Sequence, residues 1–248
     1  MTLQLPATAE ELDVSRWEAI EPYYAELAER PLGAAVEAWL ADWSRLSELV
    51  QEAASLRSIA FSQDTEDAAR KAAYLDYVRQ IAPHVETANH ALKVRLLETD
   101  WSANGLATSL RQFQADVTSY RAENVPLQAE ARATAARYSE LIGALTVEFD
   151  GRARPLAQLA PYRALPDRVV REAAWRAGHE RMLALRAELD ALYDDLLALR
   201  QRIAWNAGQA NYRDTLWLQL GRFDYTPDDT RRFRDAIRAA VVPALERQ

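Results

Sequence analysis

Three histidines, several adjacent carboxylates and no cysteine are what this sequence offers for chemistry. His179-Glu180 opens like the zinc-peptidase word His-Glu-x-x-His, but Leu183 stands where the second histidine belongs. Zinc needs imidazoles at i and i+4 on one helix face, so His179 reads as a surface helix residue. His84, Glu86 and His90 lie close in sequence, but steps of two and six turn them to different helix faces, and no metal site is expected there. Asp194-Asp195 and Asp228-Asp229 are adjacent pairs. Neighbours on a helix point about 100° apart, so neither pair makes an acid–base dyad by itself. The seven glycines are too scattered for a P-loop or a dinucleotide fingerprint. Without cysteine there are no disulfides and no thiolate metal sites. No catalytic residue, metal ligand or cofactor site is expected in this chain.

The elements that would position any site are helical. Glycine is sparse, and Ala, Leu, Arg and Glu dominate, which favours helix nearly everywhere. The organising stretch is Arg181 to Arg222. Within it Met182, Leu185, Leu189, Leu192, Leu196, Leu199 and Ile203 alternate in steps of three and four, giving one long helix with an apolar seam. Gly208 supplies its stop. Leu127, Ala131, Thr134, Tyr138, Leu141 and Leu145 repeat the alternation with smaller residues, so an antiparallel pairing of the two helices is expected, with an intermolecular coiled coil as the competing account.

Upstream, Asp13 or Ser15 can cap a short helix through Trp17, Ile20 and Tyr24, closed by Pro31. Val36 to Ile59 reads as a helix burying Val36, Leu40, Trp43, Leu46 or Ser47, Val50 and Ala54. Asp64 to Asp67 marks an N-cap with acidic residues in the first turn of a helix through Tyr74 and Val78. Pro83 ends that helix and starts another, reaching about Glu98. A turn at Asn104-Gly105 and a short helix follow. The one break in the helical rule is Leu145–Phe149, alternating and rich in β-formers. With Asp150-Gly151 and Arg152–Leu156 it predicts a hairpin. Asp167 caps the next helix. Thr226, Pro227 and Asp229 make a near capping box for a last helix, roughly Pro227 to Val241, which Pro243 should end. Its stripe of Phe233, Ile237, Ala240 and Val241 should be frayed or packed on a second copy of the chain.

The fold class expected is therefore all-α, with long antiparallel helix pairs and one small β-hairpin near 145–156. Two segments are expected: an N-terminal helical lobe over 1–143, and the hairpin with the long-helix segment over 144–248. A net charge of −7 argues against a nucleic-acid partner. No apolar run approaches membrane-spanning length and no signal-peptide pattern opens the chain, so no membrane partner and a cytoplasmic location are expected.

From Leu189 to Asp214 the chain reads LDALYDDLLALRQRIAWNAGQANYRD, then GRFDYTPDD from Gly221, then FRDAIRAAVVPALER to Arg247. In order and spacing this closely resembles the N-terminal half of the oligoendopeptidase F branch of the thimet-oligopeptidase-like zinc peptidases. The hairpin LTVEFDG, the run PDRVVREAAW, Trp17, Tyr23-Tyr24 and WLADWS fit the same pattern, so the resemblance covers nearly the whole chain. It implies a helical fold closing over a deep channel, in which short peptides are cut by a zinc-activated water. It also implies that the zinc ligands and catalytic glutamate lie C-terminal to Gln248, in a catalytic half missing here. No catalytic residue carries over, and zinc is expected only in a longer enzyme. The alternative is a free-standing, non-catalytic helical scaffold or a module that binds peptides or partners. Asn211, Tyr212, Arg222 and Tyr225 fall in the punctuated segment and are the candidate peptide contacts; pinning that turn is their structural alternative.

Overall fold

A computed structural model describes residues 3–99, 101–103 and 105–247, save the side chain of Ala34. The expected turn at Asn104-Gly105 thus lies partly outside the described residues. Among the described residues the chain is nearly all helix with one two-stranded sheet. Its α-helices are α1 (Glu21–Glu29), α2 (Val36–Gln63), α3 (Ala68–Asp76), α4 (Ala82–Leu97), α5 (Ala107–Ser119) and α6 (Asn124–Gly143). After the hairpin come α7 (Ala160–Arg163), α8 (Arg168–Leu183), α9 (Arg186–Asn206), α10 (Tyr212–Gln219) and α11 (Pro227–Leu245).

The main core joins the N-terminal segment, α1, α2 and α4. Val14, Ile20, Leu27, Trp39, Leu46 and Leu92 are among its most buried members. The buried stripe of α2 is Val36, Trp39, Trp43, Leu46, Leu49, Val50 and Ala53, while Leu40 and Ala54 are only half-buried. The helix is thus turned slightly from the expected face, so that the indole of Trp39 reaches the end of α1 and donates to the Leu27 carbonyl at 2.8 Å. The first helix is also shorter than expected. Asp13 accepts from the backbone of Ser15 at 2.9 Å and closes a local turn, leaving a 3₁₀ turn at Trp17–Ala19 before α1.

Pro83 does not break the chain into two helices. Tyr77–Ile81 forms a π-helical turn, with Ala82 N–H reaching the Tyr77 carbonyl, and α3 runs through it into α4. Proline lacks an N–H and crowds the carbonyl four residues back; the widened turn absorbs both defects. The cap of α3 is Asp67, accepting from Ala69 and Arg70, so Asp64 to Glu66 lie before the helix and not in its first turn.

The hairpin pairs β1 (Thr146–Phe149) with β2 (Arg152–Pro155) in the register Phe149↔Arg152, and Leu156 begins a 3₁₀ turn instead of extending β2. Asp150 at φ 54° and Gly151 at φ 74° are both left-handed, as a type I′ turn requires. The Asp150 carboxylate also accepts from Tyr162 at 2.8 Å and Arg154 at 3.0 Å, which ties the turn to α7.

The single helix expected from Met182 through Ile203 is two. The chain turns at Ala184–Leu185, putting Met182 on α8, where it is exposed. Neither glycine nor proline marks the break. The seam buries fully only where α6 covers it, at Leu192, Leu196, Leu199 and Ile203. There α6 and α9 pair antiparallel. The buried Asn124 at the start of α6 donates to the Ile203 carbonyl near the end of α9 at 2.9 Å and accepts from Asn206 at 2.8 Å. At Gly208, Gln209 N–H reaches the Ala204 carbonyl and Gly208 N–H the Trp205 carbonyl, the double bond of a Schellman stop.

Helix α11 has the expected capping box at Thr226 and Asp229, but it continues through Pro243 to Leu245. So close to a helix end, the proline forfeits one hydrogen bond without ending the helix. Its apolar stripe is exposed, with Phe233 at 68%. Among the described residues, no helix is long and apolar enough to cross a membrane.

Candidate functional site

Between α2 and the π-helical turn on one side and α6, α9 and α10 on the other lies a cavity of about 800 Å³, floored by α4 and α5. Periodicity explains who lines it. Glu86, His90 and Lys93 stand at i, i+4 and i+7 on α4; Asn124, Gln128 and Arg132 at i, i+4 and i+8 on α6; Tyr212, Thr215 and Gln219 at i, i+3 and i+7 on α10. Three helices each turn one face inward, and there these polar side chains stand among apolar ones such as Val85 and Ala131.

The floor is ordered by hydrogen bonds. Lys93 pairs with Asp116 of α5 at 2.7 Å. Gln112 donates to the other Asp116 oxygen at 2.7 Å and to the Leu218 carbonyl at 3.2 Å, which moors α10 to α5. Gly221 permits this close approach. It lies at φ 61°, and a Cβ there would meet the Gln112 amide oxygen at 2.7 Å. His90 stacks on Tyr120 with ring centroids 3.7 Å apart; burial and then Lys93 hold the imidazole below its usual value, which favours the neutral ring at neutral pH. The Thr215 hydroxyl is buried and has no hydrogen-bond partner among the described residues.

Glu86 is the unusual group. With its amide nitrogen toward the carboxylate, Gln128 donates to both oxygens, at 2.8 and 2.7 Å. Burial pushes the carboxyl above its ordinary 4.5, while Arg132, Lys93 and the two Gln128 donors favour the carboxylate. The folded state therefore binds this proton more tightly than the unfolded chain does. The resulting stabilisation is present while Glu86 is protonated and is lost as pH rises through the raised folded value. Relative to the parent, Glu86→Gln should accordingly gain stability as pH rises from below the ordinary carboxylate range to neutral. Melting curves at both ends check this, and a gap independent of pH would contradict it. A second cavity of about 600 Å³, lined by Trp43, Trp101 and Phe113, shares Glu86 and Lys93 with the first.

Of the four residues anticipated as peptide contacts, Tyr212 lines the main cavity, under the Arg200 guanidinium 5.6 Å from its ring centroid. Asn211 is the N-cap of α10, accepting from Asp214 N–H at 3.3 Å and donating to its carboxylate at 2.9 Å. Arg222 lies over the Trp217 ring at 4.8 Å, and the Tyr225 carbonyl accepts from the Trp217 indole at 3.0 Å. These last two close the turn after α10. The step of four between Glu86 and His90, continued to Lys93, was the signal in the sequence for the α4 face. Weighing His84 in the same group hid it, since His84 stacks on Trp17 away from the cavity.

The residues do not fit a zinc ion. His84, His90 and His179 each stack on a different aromatic ring, His179 with Nδ1 2.8 Å from the Trp175 carbonyl. Among the described residues, no three His, Cys, Asp or Glu side chains gather as a metal would need.

Comparison with known proteins agrees with the fold. Residues 10–112 match the peptidase M3 N-terminal domain and residues 162–248 match peptidase family M3. An X-ray structure of a protein assigned as oligoendopeptidase F superposes with a TM-score of 0.88 at 23% identity, over 98% of this chain and 44% of that one. A protein from Bacillus anthracis str. Ames with the same assignment gives 0.82 at 22%, over 92% and 43%. PZ peptidase A, solved with an inhibitor, gives 0.79 at 21%, over 98% and 43%. No curated protein sequence matches significantly. The chain thus spans less than half the length of the solved structures it resembles. Two matches to one family, flanking the hairpin and together covering most of the sequence, place this chain in peptidase family M3.

Proposed function

We propose that this chain is the N-terminal substrate-channel lobe of a zinc metallo-oligopeptidase that hydrolyses short peptides. Its part is to wall and select the peptide; the zinc and the catalytic residues belong to a further half of the same protein. The main support is the large cavity of mixed polar and apolar lining in a chain of family M3 that gathers no metal-binding group of its own among the described residues. The two segments 1–143 and 144–248 act as one wall because α6 and α9 bridge them. Tyr212 is the direct peptide contact. Asn211, Arg222 and Tyr225 act by fixing α10, and the α11 stripe is a surface for a second copy or for the catalytic half. Work on this peptide takes place in the cytoplasm.

Titration of a labelled hexapeptide, a quenched-peptide assay and metal analysis after dialysis test the reading. The expected result is saturable binding, no turnover and less than one zinc per chain. One tightly held zinc with chelator-sensitive turnover would overturn the lobe assignment, and absence of peptide binding would overturn the channel role.

A further inference from the structure

The charges on the main cavity are unevenly committed. Asp116 is taken by Lys93 and Gln112, and Glu86 accepts both its hydrogen bonds from the neutral Gln128. Arg121 spends its guanidinium on the Thr118 and Tyr120 carbonyls. Arg132 of α6 and Arg200 of α9 also line the cavity, and among the described residues neither has a carboxylate at ion-pair distance. The two lie on the helices that pair antiparallel, beside the apolar cluster of Leu127, Leu199 and Ile203 against which Ala131 and Tyr212 pack. The Arg200 guanidinium lies 5.6 Å from the Tyr212 ring centroid. In a protein of net charge −7, two guanidiniums line one cavity, Arg132 with Glu86 acting on it from beyond ion-pair distance, so capacity to bind an anion remains on that wall. Guanidinium forks match carboxylates bidentately, and a low-dielectric wall strengthens that match.

We propose that Arg132 and Arg200 form a carboxylate-recognising subsite of this cavity, which takes a free carboxylate of a bound oligopeptide. This rests on the peptide-binding reading above. A peptide offers that group at its C-terminus or on an Asp or Glu side chain. Either source meets both arginines on the α6–α9 wall, while the α10 face with Tyr212 packs along the remainder.

The test is the affinity of the 248-residue chain for four N-terminally labelled hexapeptides of alanine and leucine. They carry a free C-terminal acid, a C-terminal amide, or the amide with one internal Glu or its Gln counterpart. At least one carboxylate-bearing peptide should bind about tenfold more tightly than its neutral counterpart, and the better one identifies the source. Arg132→Gln and Arg200→Gln should each bring the ratio of the two affinities to about one, whatever each does to the affinity for the neutral peptide. Circular dichroism and an unchanged unfolding midpoint show that each variant is folded. Equal affinities across all four peptides, or a preference surviving both substitutions, would overturn the subsite and leave peptide binding standing. Failure of all four peptides to bind would overturn the channel role and this subsite with it.

Discussion

Replacing Asp42 with alanine should cost about 1–3 kcal/mol of stability, because the Leu3 N–H and the half-buried Arg30 lose their acceptor, although Glu26 still pairs with Arg30 at 2.8 Å. Asp42 lies on α2 and is 7% exposed. One carboxylate oxygen accepts from Leu3 N–H at 2.8 Å and from Arg30 at 2.5 Å. Arg30 is held above its usual value first by that hydrogen bond, against the pull of burial. The same knot reaches α4: Arg95 donates to the Leu27 carbonyl at 2.6 Å and to the Arg30 carbonyl. Asp42 therefore ties the N-terminal segment, the end of α1 and α2 at one point. Urea denaturation should show the midpoint falling with an unchanged slope. Pairing Asp42→Leu with Arg30→Met should recover part of the loss, since it removes the Arg30 charge but leaves the Leu3 N–H without its acceptor. A loss below about 1 kcal/mol in the single variant would mean the pair behaves as a surface ion pair.

Trp39→Ala should cost more, about 3–5 kcal/mol, by a different route. The indole is fully buried among α1, α2 and α4, with Trp43 at 5.2 Å between ring centroids. Removing it leaves a void that rigid helices on three sides cannot close. The hydrogen bond to Leu27 matters less, because that carbonyl keeps Arg95 as a donor. Trp39→Phe separates the two contributions and should cost about 1–2 kcal/mol. Thermal or urea unfolding of both variants checks the ordering. Equal losses would mean that the hydrogen bond, and not the packing, holds this corner.

What the sequence determined by itself was local, because the interactions responsible span four or five residues. Asp150-Gly151 specifies the hairpin since both positions tolerate positive φ. Thr226 with Asp229 specifies the start of α11, Gly208 ends α9, and Asp167 caps α8, each through hydrogen bonds closed within one turn. The alternation of threes and fours marked the seams of α6 and α9, with their antiparallel pairing as the preferred account. Family membership was legible in the same stretches, in the order of their words.

Only the tertiary structure decided how far each pattern is used. The seam of Met182 through Ile203 is continuous in sequence, yet the chain turns at Ala184–Leu185, where no special residue marks it. A helix persists or breaks there according to what packs against it, and α6 covers only the later part. The face of α2 turned to include Trp39 and Leu49 because α1 offers a carbonyl and a core there. Pro83 stopped nothing because a π turn one residue ahead relieved its clash. The cavity is the clearest case. Periodicity tells which residues share a face of α4, α6 or α10, but a face becomes a wall only when crossing helices leave space in front of it. Glu86 and Arg132, 46 positions apart in sequence, became neighbours, and Arg200 joined them on one cavity. Helix packing alone set those distances, and with them the charge on the site.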